Sequence, residues 1–224
     1  MKFIIFNGSP AGRNSNTNVI GQAFLEGAAQ AGAVTENVFL AEKKIVFCRG
    51  CFSCWFKTPG KCVMRDDMTE LIQKYSEADV VCFATPVFTW DMTANLKAFV
   101  DRLAPLKSPL IVQKQEDFDL ADATEKQQKF VVISNCGFPG NHNFDTLKTV
   151  MAPCSPVLEL YRNCGKLLKS KDAAVQAVVK HYLDAVKQAG YEMAMRGDVS
   201  AETRESLNME LMSVQEYVQY LHMG

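Results

Sequence analysis

Four of the chain's eight cysteines lie close together in the sequence. Cys48, Cys51 and Cys54 share one short stretch, and the chain returns to Cys62 across Pro59-Gly60. Thiolates are soft ligands, and such close spacing is typical of sites that hold an iron–sulfur cluster or zinc. The pattern therefore marks these four side chains as candidate metal ligands.

The same loop also has a purely structural interpretation. Cysteine is small and apolar enough to be a common packing residue, and three aromatic residues, Phe52, Trp55 and Phe56, lie among these thiols. An exposed aromatic patch of this size is unfavourable in water. We therefore expect the loop to pack against a neighbouring subunit or to cover a ligand, whichever role the thiols have.

A second candidate site lies near the N-terminus, where residues 8–17 read Gly-Ser-Pro-Ala-Gly-Arg-Asn-Ser-Asn-Thr between an apolar run and a helical pattern. Backbone amides of such a loop, together with the start of the helix, favour a phosphate dianion. The side chains expected to donate to its oxygens are Ser9, Ser15, Asn16 and Thr17, with Arg13 adding charge from the rim. The loop matches neither the triphosphate-binding nor the dinucleotide-binding glycine pattern. A ligand-free alternative is an ordinary turn in which Asn16 or Thr17 caps the helix.

The elements that position these loops follow from hydrophobic periodicity. The predicted strands are residues 3–6, 34–40, 80–84, 130–134 and 157–161. The predicted helices are 17–31, a helix opened by an Asp67–Glu70 capping box and ending near Ala78, and 94–103. Strands alternating with helices predict an α/β fold, a doubly wound five-stranded parallel sheet with helices on both faces.

The loops at 7–16, 85–91 and 135–143 all follow predicted strands. Ligands of such sheets bind at the carboxyl ends of the strands, so these three loops should form one site. We assign residues 1–168 to this domain and 169–224 to a C-terminal helical extension of it.

Two further segments carry no recognisable chemistry. Residues 107–129 are polar and without a clear period, which predicts a surface excursion. An apolar stripe of Leu207, Leu211, Val214, Val218 and Leu221 predicts a second C-terminal helix after one at 175–186. The stripe would be buried either on the same chain or in a homodimer or homotetramer.

The third strand and helix carry a resemblance. Residues 84–92 read Ala-Thr-Pro-Val-Phe-Thr-Trp-Asp-Met, and Lys97, Asp101 and Arg102 follow. With Gly8-Ser9-Pro10 and Ser15-Asn16-Thr17, this pattern resembles the NAD(P)H-dependent FMN reductase family and its iron–sulfur flavoprotein branch. Phe88 stands where the family's Pro-x-Tyr pattern has tyrosine. We interpret Lys97, Asp101 and Arg102 as structural.

The resemblance implies a flavodoxin-like fold with bound FMN, whose isoalloxazine ring lies along the loop that begins at Pro86. Phe88 or Trp90 would form an aromatic wall. The implied cofactor-binding residues are Ser9, Arg13, Ser15, Asn16, Thr17, Pro86, Val87, Phe88, Thr89, Trp90, Asp91, Cys136 and Gly137. No catalytic side chain is expected, because hydride transfer from a nicotinamide to flavin needs no protein acid or base.

The implied activity is NAD(P)H:acceptor electron transfer to a small-molecule or protein acceptor of the flavin or quinone type. The alternative is an iron–sulfur flavoprotein electron carrier with a [4Fe-4S] cluster on the four clustered cysteines and a ferredoxin-like partner. A third interpretation, from another class, is a flavin-binding redox sensor whose C-terminal helices report to a partner.

Charge and composition limit the partners. With 24 Lys and Arg against 25 Asp and Glu, the net charge is -1, which is unlike a nucleic-acid-binding surface. No run approaches the length of a membrane span, and we find no signal-peptide core. We therefore expect a cytoplasmic protein with reduced thiols.

Overall fold

A computed structural model describes residues 1–114, 117–122 and 126–223. Its strands are β1 (Lys2–Asn7), β2 (Val34–Phe39), β3 (Val80–Pro86), β4 (Lys107–Lys114), β5 (Asp117–Asp122), β6 (Lys129–Asn135) and β7 (Leu158–Arg162). Five of them form a parallel sheet in the order β2-β1-β3-β6-β7. The predicted flavodoxin-like α/β fold is thereby confirmed.

Helices cover both faces of this sheet. They are α1 (Asn16–Gln30), α2 (Ser53–Phe56), α3 (Met68–Glu77), α4 (Ala94–Asp101), α5 (Asp145–Met151), α6 (Ala173–Arg196), α7 (Ala201–Leu207) and α8 (Val214–Met223). Side chains of α1, α6, α7 and α8 share one core with the sheet, and those of α3, α4 and α5 share the other. The strands are apolar on both faces because both are covered.

Helices α1 and α6 are in close backbone contact. A Cβ added at Gly27 would lie 1.7 Å from the Lys187 carbonyl oxygen, and one added at Gly190 would lie 1.9 Å from that of Phe24. The two backbones can touch only because these positions lack side chains. The C-terminal segment is thereby held on the helix that opens the candidate site; the boundary at residue 168 stays a prediction.

Two local predictions at helix starts were wrong. Ser15, rather than Asn16 or Thr17, caps α1 and accepts the amide of Asn18 at 3.0 Å. The Asp67–Glu70 capping box does not form, because the Asp67 carboxylate instead accepts the amide of Lys44 at 2.7 Å. Both errors arise from choosing among adjacent polar residues whose directions a sequence does not show.

The surface excursion at 107–129 is more regular than predicted. In the residues that the structure describes, β4 and β5 pair as an antiparallel two-stranded sheet. Cross-strand pairing supplies the order that a helical or alternating pattern did not reveal. Residues 115, 116 and 123–125 of this segment lie outside the described part.

The apolar stripe from Leu207 to Leu221 does not form one helix. The chain breaks after α7 and restarts at α8, where Ser213 and Glu216 form a capping box. Leu207 and Leu211 are buried on their own chain, whereas Val214 and Val218 are 56% and 43% exposed. The first half of the stripe is therefore buried on the same chain. Burial of the second half in a homo-oligomer stays a prediction.

Candidate functional site

Three loops meet at the carboxyl edge of the sheet, as predicted. The amide of Gly8, after β1, donates to the carbonyl of Ala84 in β3 at 2.8 Å. The Thr93 hydroxyl, which caps α4, donates to the Gly8 carbonyl at 2.6 Å. A Cβ at Gly8 would lie 2.6 Å from that of Leu96, so only glycine allows the first loop to pack this closely on α4.

The first loop is fixed mainly by its own polar groups. The Ser15 hydroxyl donates to the Gly12 carbonyl at 2.8 Å while it caps α1. Ser9, Ser15 and Thr17 are buried, and Asn16 is half-buried. Because the first amides of a helix have no acceptor within it, those of Asn16 and Thr17 remain available to an anion.

A buried asparagine lies beneath this loop. The Asn7 side chain is fully buried, and its Oδ1 accepts the amide of Ser9 at 3.0 Å. Among the described residues, its Nδ2 has no hydrogen-bond partner. A buried amide donor without an acceptor is unfavourable by about 1–3 kcal/mol.

Arg13 lies at the rim, but its charge is already paired. Its guanidinium contacts the Glu42 carboxylate at 3.2 Å and lies 4.5 Å above the centre of the Phe39 ring. Both charged side chains are more than half exposed. The structure therefore places Arg13 beside the predicted phosphate loop and directs it towards β2 and the turn that follows.

The second loop is a tight and strained turn. Phe88 and Asp91 exchange two backbone hydrogen bonds of 2.9 and 3.1 Å. The central residues, Thr89 and Trp90, have φ angles of +49° and +65°, as in a type I′ turn, which favours glycine or asparagine. Such strain is concentrated at functional sites.

This turn leaves large apolar side chains in solvent. Phe88 is 53% exposed and Trp90 61% exposed, whereas Pro86, Val87 and Asp91 are half-buried. The turn therefore offers aromatic surface of the kind that stacks on a planar ligand.

The third loop follows β6. Cys136 is buried, and its thiol donates to the Phe138 carbonyl at 3.2 Å. Gly137 is exposed, and its carbonyl accepts the Tyr217 hydroxyl from α8 at 2.6 Å. Phe138 beside it is 73% exposed. The predicted loop at 135–143 contains Phe138 without singling it out. The contact with α8 was not predicted, because no local pattern links residue 217 to this loop.

The four clustered cysteines line a separate small cavity. It measures about 50 Å³ and lies against the end of α4; besides the thiols it is bounded by Phe52 and Arg102, among others. Burial raises the pKa of the Cys54 thiol, and negative charge on the neighbouring Cys62, Cys48 and Cys51 would raise it further.

The described side chains nevertheless contain no group of three or more histidine, cysteine, aspartate or glutamate residues arranged to hold a metal ion. The loop itself is anchored, since the Trp55 indole donates to the Ala104 carbonyl at 2.8 Å. Phe52 and Phe56 are 51% and 70% exposed. Of the three aromatic side chains in this loop, Trp55 is therefore partly covered by its own chain, whereas Phe52 and Phe56 remain exposed.

A buried ion pair forms one wall of the cysteine cavity. Arg102 contacts the Asp66 carboxylate through two nitrogen–oxygen distances of 2.7 and 2.9 Å, and both side chains are inaccessible to solvent. The guanidinium also donates to the Val46 carbonyl. Arg102 thus has the predicted structural role, because it holds the chain on either side of the cysteine loop. Its partner Asp66 was not predicted from the sequence.

Comparisons with known proteins agree with this geometry. The family model described as NADPH-dependent FMN reductase matches residues 1–133. An iron–sulfur flavoprotein from Archaeoglobus fulgidus is 39% identical over 105 residues, covering 47% of this chain and 46% of the relative. Another, from Methanocaldococcus jannaschii, is 37% identical over 107 residues, covering 48% and 54%. The chain thus matches about half the length of these relatives.

Solved structures share the fold at low sequence identity. A NAD(P)H:quinone oxidoreductase from Methanothermobacter marburgensis superposes with a TM-score of 0.60 at 17% identity, covering 86% of this chain and 94% of that one. An FMN-dependent NADH-azoreductase from Bacillus anthracis, solved with FMN, gives 0.60 at 15% identity, covering 86% and 99%.

Among the helices in the described ranges, none has both the length and the apolar character that crossing a bilayer requires.

Proposed function

Because this chain belongs to the NADPH-dependent FMN reductase family, we propose that it is an FMN-dependent oxidoreductase that takes electrons from NAD(P)H and passes them to a flavin- or quinone-type acceptor. The observation that carries this proposal is the junction of three strand-end loops at the carboxyl edge of the sheet. One loop opens a long helix, and the other two expose aromatic side chains.

The residues present fit FMN. The amides at the start of α1 suit a phosphate group. Phe88, Trp90 and Phe138 suit the faces and edge of a flavin ring. When bound, FMN supplies a ring that accepts hydride and returns electrons singly or in pairs.

The protein's own contribution is binding, orientation and exclusion of water. The amides of Asn16 and Thr17 would hold the phosphate, and the strained turn at Thr89 and Trp90 would present backbone donors to the ring. Gly137 has no side chain to separate its backbone from a ligand. None of these groups needs to gain or lose a proton, which agrees with the expectation of no catalytic side chain.

The position of the ring can be tested with the two tryptophans. In a Trp55→Phe variant, the remaining Trp90 fluorescence should be strongly quenched when FMN is added. In the matched Trp90→Phe variant, where Trp55 remains, quenching should be measurably weaker. Equal quenching in both variants would contradict the assignment of the 86–91 loop to the ring.

The activity is tested under anaerobic conditions with FMN-loaded protein. NADPH or NADH should bleach the flavin absorbance, and added quinone should restore it. The two nucleotides are compared at equal concentration. Flavin that stays oxidised with both would refute the proposed reductant.

A second candidate, an iron–sulfur electron carrier, is favoured by the cavity that the four cysteines share. Four cysteine thiolates are the usual ligands of a [4Fe-4S] cluster, and the four thiols that share this cavity match that donor set. Cys48, Cys51, Cys54 and Cys62 would hold it, and single electrons would pass between it and FMN. Two relatives that are named iron–sulfur flavoproteins support this proposal.

Anaerobically purified protein distinguishes the two candidates. A carrier should contain about four iron and four sulfide ions per chain and show broad absorbance beyond the flavin bands. A protein with flavin bands alone and rapid NAD(P)H oxidation supports the reductase. The acceptor, homo-oligomeric state and cytoplasmic location remain predictions.

A further inference from the structure

A second cation lies at the start of α1, and sequence reasoning did not identify it. Lys169 ends a short 3₁₀ turn after β7, and its ammonium group donates to the Asn14 carbonyl in the first loop. The two residues are 155 positions apart in the chain. A residue far away in the sequence, Lys169, therefore contacts the predicted phosphate loop.

The turn that carries Lys169 is fixed on both sides. Leu167 and Leu168 are 1% and 7% exposed and anchor it in the core that α1 shares. The amide of Gly165 donates to the Cys136 carbonyl at 2.8 Å. The turn thus joins the first and third loops, and the position of Lys169 is set by packing rather than by its own surface contacts.

The exposed ammonium group of Lys169 lies beside the start of α1, which is an unfavourable place for a cation. The N-terminal end of a helix carries partial positive charge, which disfavours cations and favours anions. The first turn of α1 contains no acidic residue. Arg13 is balanced by Glu42, whereas among the described residues no carboxylate pairs with Lys169.

The helix start and the ammonium group suit the same kind of ligand. The first amides of α1 have no acceptor within the helix, and Lys169 adds a positive charge beside them. A dianion with several acceptor oxygens can accept from both groups, and a phosphomonoester has this chemistry.

We propose that Lys169, rather than Arg13, supplies the cation that recognises the 5′-phosphate of FMN and makes the site selective for FMN over riboflavin. This inference rests on the proposed flavin function. A lysine suits the role because its ammonium group is a compact charge that needs no planar partner. When FMN binds, the Lys169 ammonium group would donate to a phosphate oxygen, either in place of the Asn14 carbonyl or in addition to it.

The test compares FMN and riboflavin binding to the apoprotein by flavin fluorescence. Lys169→Met should weaken FMN about tenfold, as expected for loss of one charge-assisted hydrogen bond, and leave riboflavin affinity unchanged. The salt dependence of FMN affinity should also become shallower. Lys171→Met, two positions along the same surface, is the matched control and should leave both affinities unchanged.

Each other result overturns the inference in a recognisable way. If Arg13→Met weakens FMN selectively and Lys169→Met does not, Arg13 is the phosphate cation. If Lys169→Met weakens both flavins equally, Lys169 only supports the loop through Asn14. A wild-type protein that binds riboflavin as tightly as FMN refutes the selectivity but not flavin binding, and one that binds neither flavin refutes the proposed function as well.

Discussion

The Thr17 hydroxyl donates to Oδ1 of Asn135 over 2.6 Å, between two buried side chains that stand 118 residues apart. Thr17 lies in the first turn of α1 and Asn135 ends β6. The backbone carbonyl of Asn135 also accepts the amide of Val87 at 2.8 Å. One buried asparagine thus connects all three loops of the candidate site through hydrogen bonds within the protein.

Removing the Thr17 hydroxyl should therefore loosen the site as a unit. In Thr17→Val the side chain keeps its shape, but Oδ1 of Asn135 loses its buried donor, which should lower the free energy of unfolding by about 1–3 kcal/mol. Urea unfolding of the apoprotein measures this. Thr17→Ser keeps the hydroxyl and should lose much less. If the valine and serine variants are equally stable, the bond does not connect the loops.

The close approach of the third loop to a flavin ring gives a separate prediction. A Cβ added at Gly137 meets no protein atom within 4 Å, so Gly137→Ala should leave the stability of the apoprotein nearly unchanged. If the ring lies against this backbone, the added methyl group should weaken FMN about tenfold or more through overlap.

Apoprotein stability is the control in that experiment, because it separates a steric effect on the ligand from a folding defect. Fluorescence titration with FMN gives the affinity of each form. Unchanged FMN affinity in Gly137→Ala would show that the ring does not reach the third loop, and the assignment of Cys136 and Gly137 would fail.

The sequence predicted the sheet well because the strands are apolar on both faces. Phe3 to Phe6 are completely buried, and such runs followed by turn residues have few alternatives. The same applies to the three loops, whose meeting point follows from parallel topology alone. These predictions depend on patterns within a short window, which a sequence shows directly.

The contacts that join distant segments could not be predicted. Ser9, Ser15, Asn16 and Thr17 have similar chemistry, and only the fold shows that Ser15 caps the helix while Thr17 bonds to Asn135. Lys169 reaches its loop by a turn far away in the chain. Such roles depend on where side chains point, and residue types alone do not record direction.

The buried pair between Arg102 and Asp66 gives a stability prediction for the cysteine loop. Arg102→Met leaves the Asp66 carboxylate buried without its cation, which should lower the free energy of unfolding by about 3–5 kcal/mol. Denaturant unfolding of the reduced apoprotein measures the change. The double variant Asp66→Asn/Arg102→Met removes the stranded charge and should recover part of the loss.

An exposed pair on the same helix provides the contrast. Lys97 and Asp101 form an i, i+4 ion pair with both side chains about half exposed, so Lys97→Met should change stability by less than about 0.5 kcal/mol. If Arg102→Met costs no more than Lys97→Met, the buried pair does not stabilise the loop. Failure of the double variant to recover stability would point to lost packing rather than a stranded charge.

Glu192 of α6 should make the stability of the C-terminal helices depend on acid. Burial by itself would raise the pKa of this carboxyl, but hydrogen bonds from Ser200, Gln188 and Thr203 overcome it and hold the pKa at about 2. Because the folded-state pKa lies below the ordinary value near 4.5, the stabilisation is complete above pH 4.5 and is lost as the pH falls towards 2.

Glu192→Gln should therefore lower the free energy of unfolding at pH 7 by about 1–2 kcal/mol and flatten its decline between pH 4.5 and 2. Glutamine keeps the size and one acceptor oxygen, so the difference reports the charge rather than the packing. Glu205→Gln, at an exposed position of α7, is the control and should leave the decline as steep as in the wild type. Thermal unfolding followed by circular dichroism across this pH range measures both, and an equally steep decline in Glu192→Gln would show that another group carries the acid dependence.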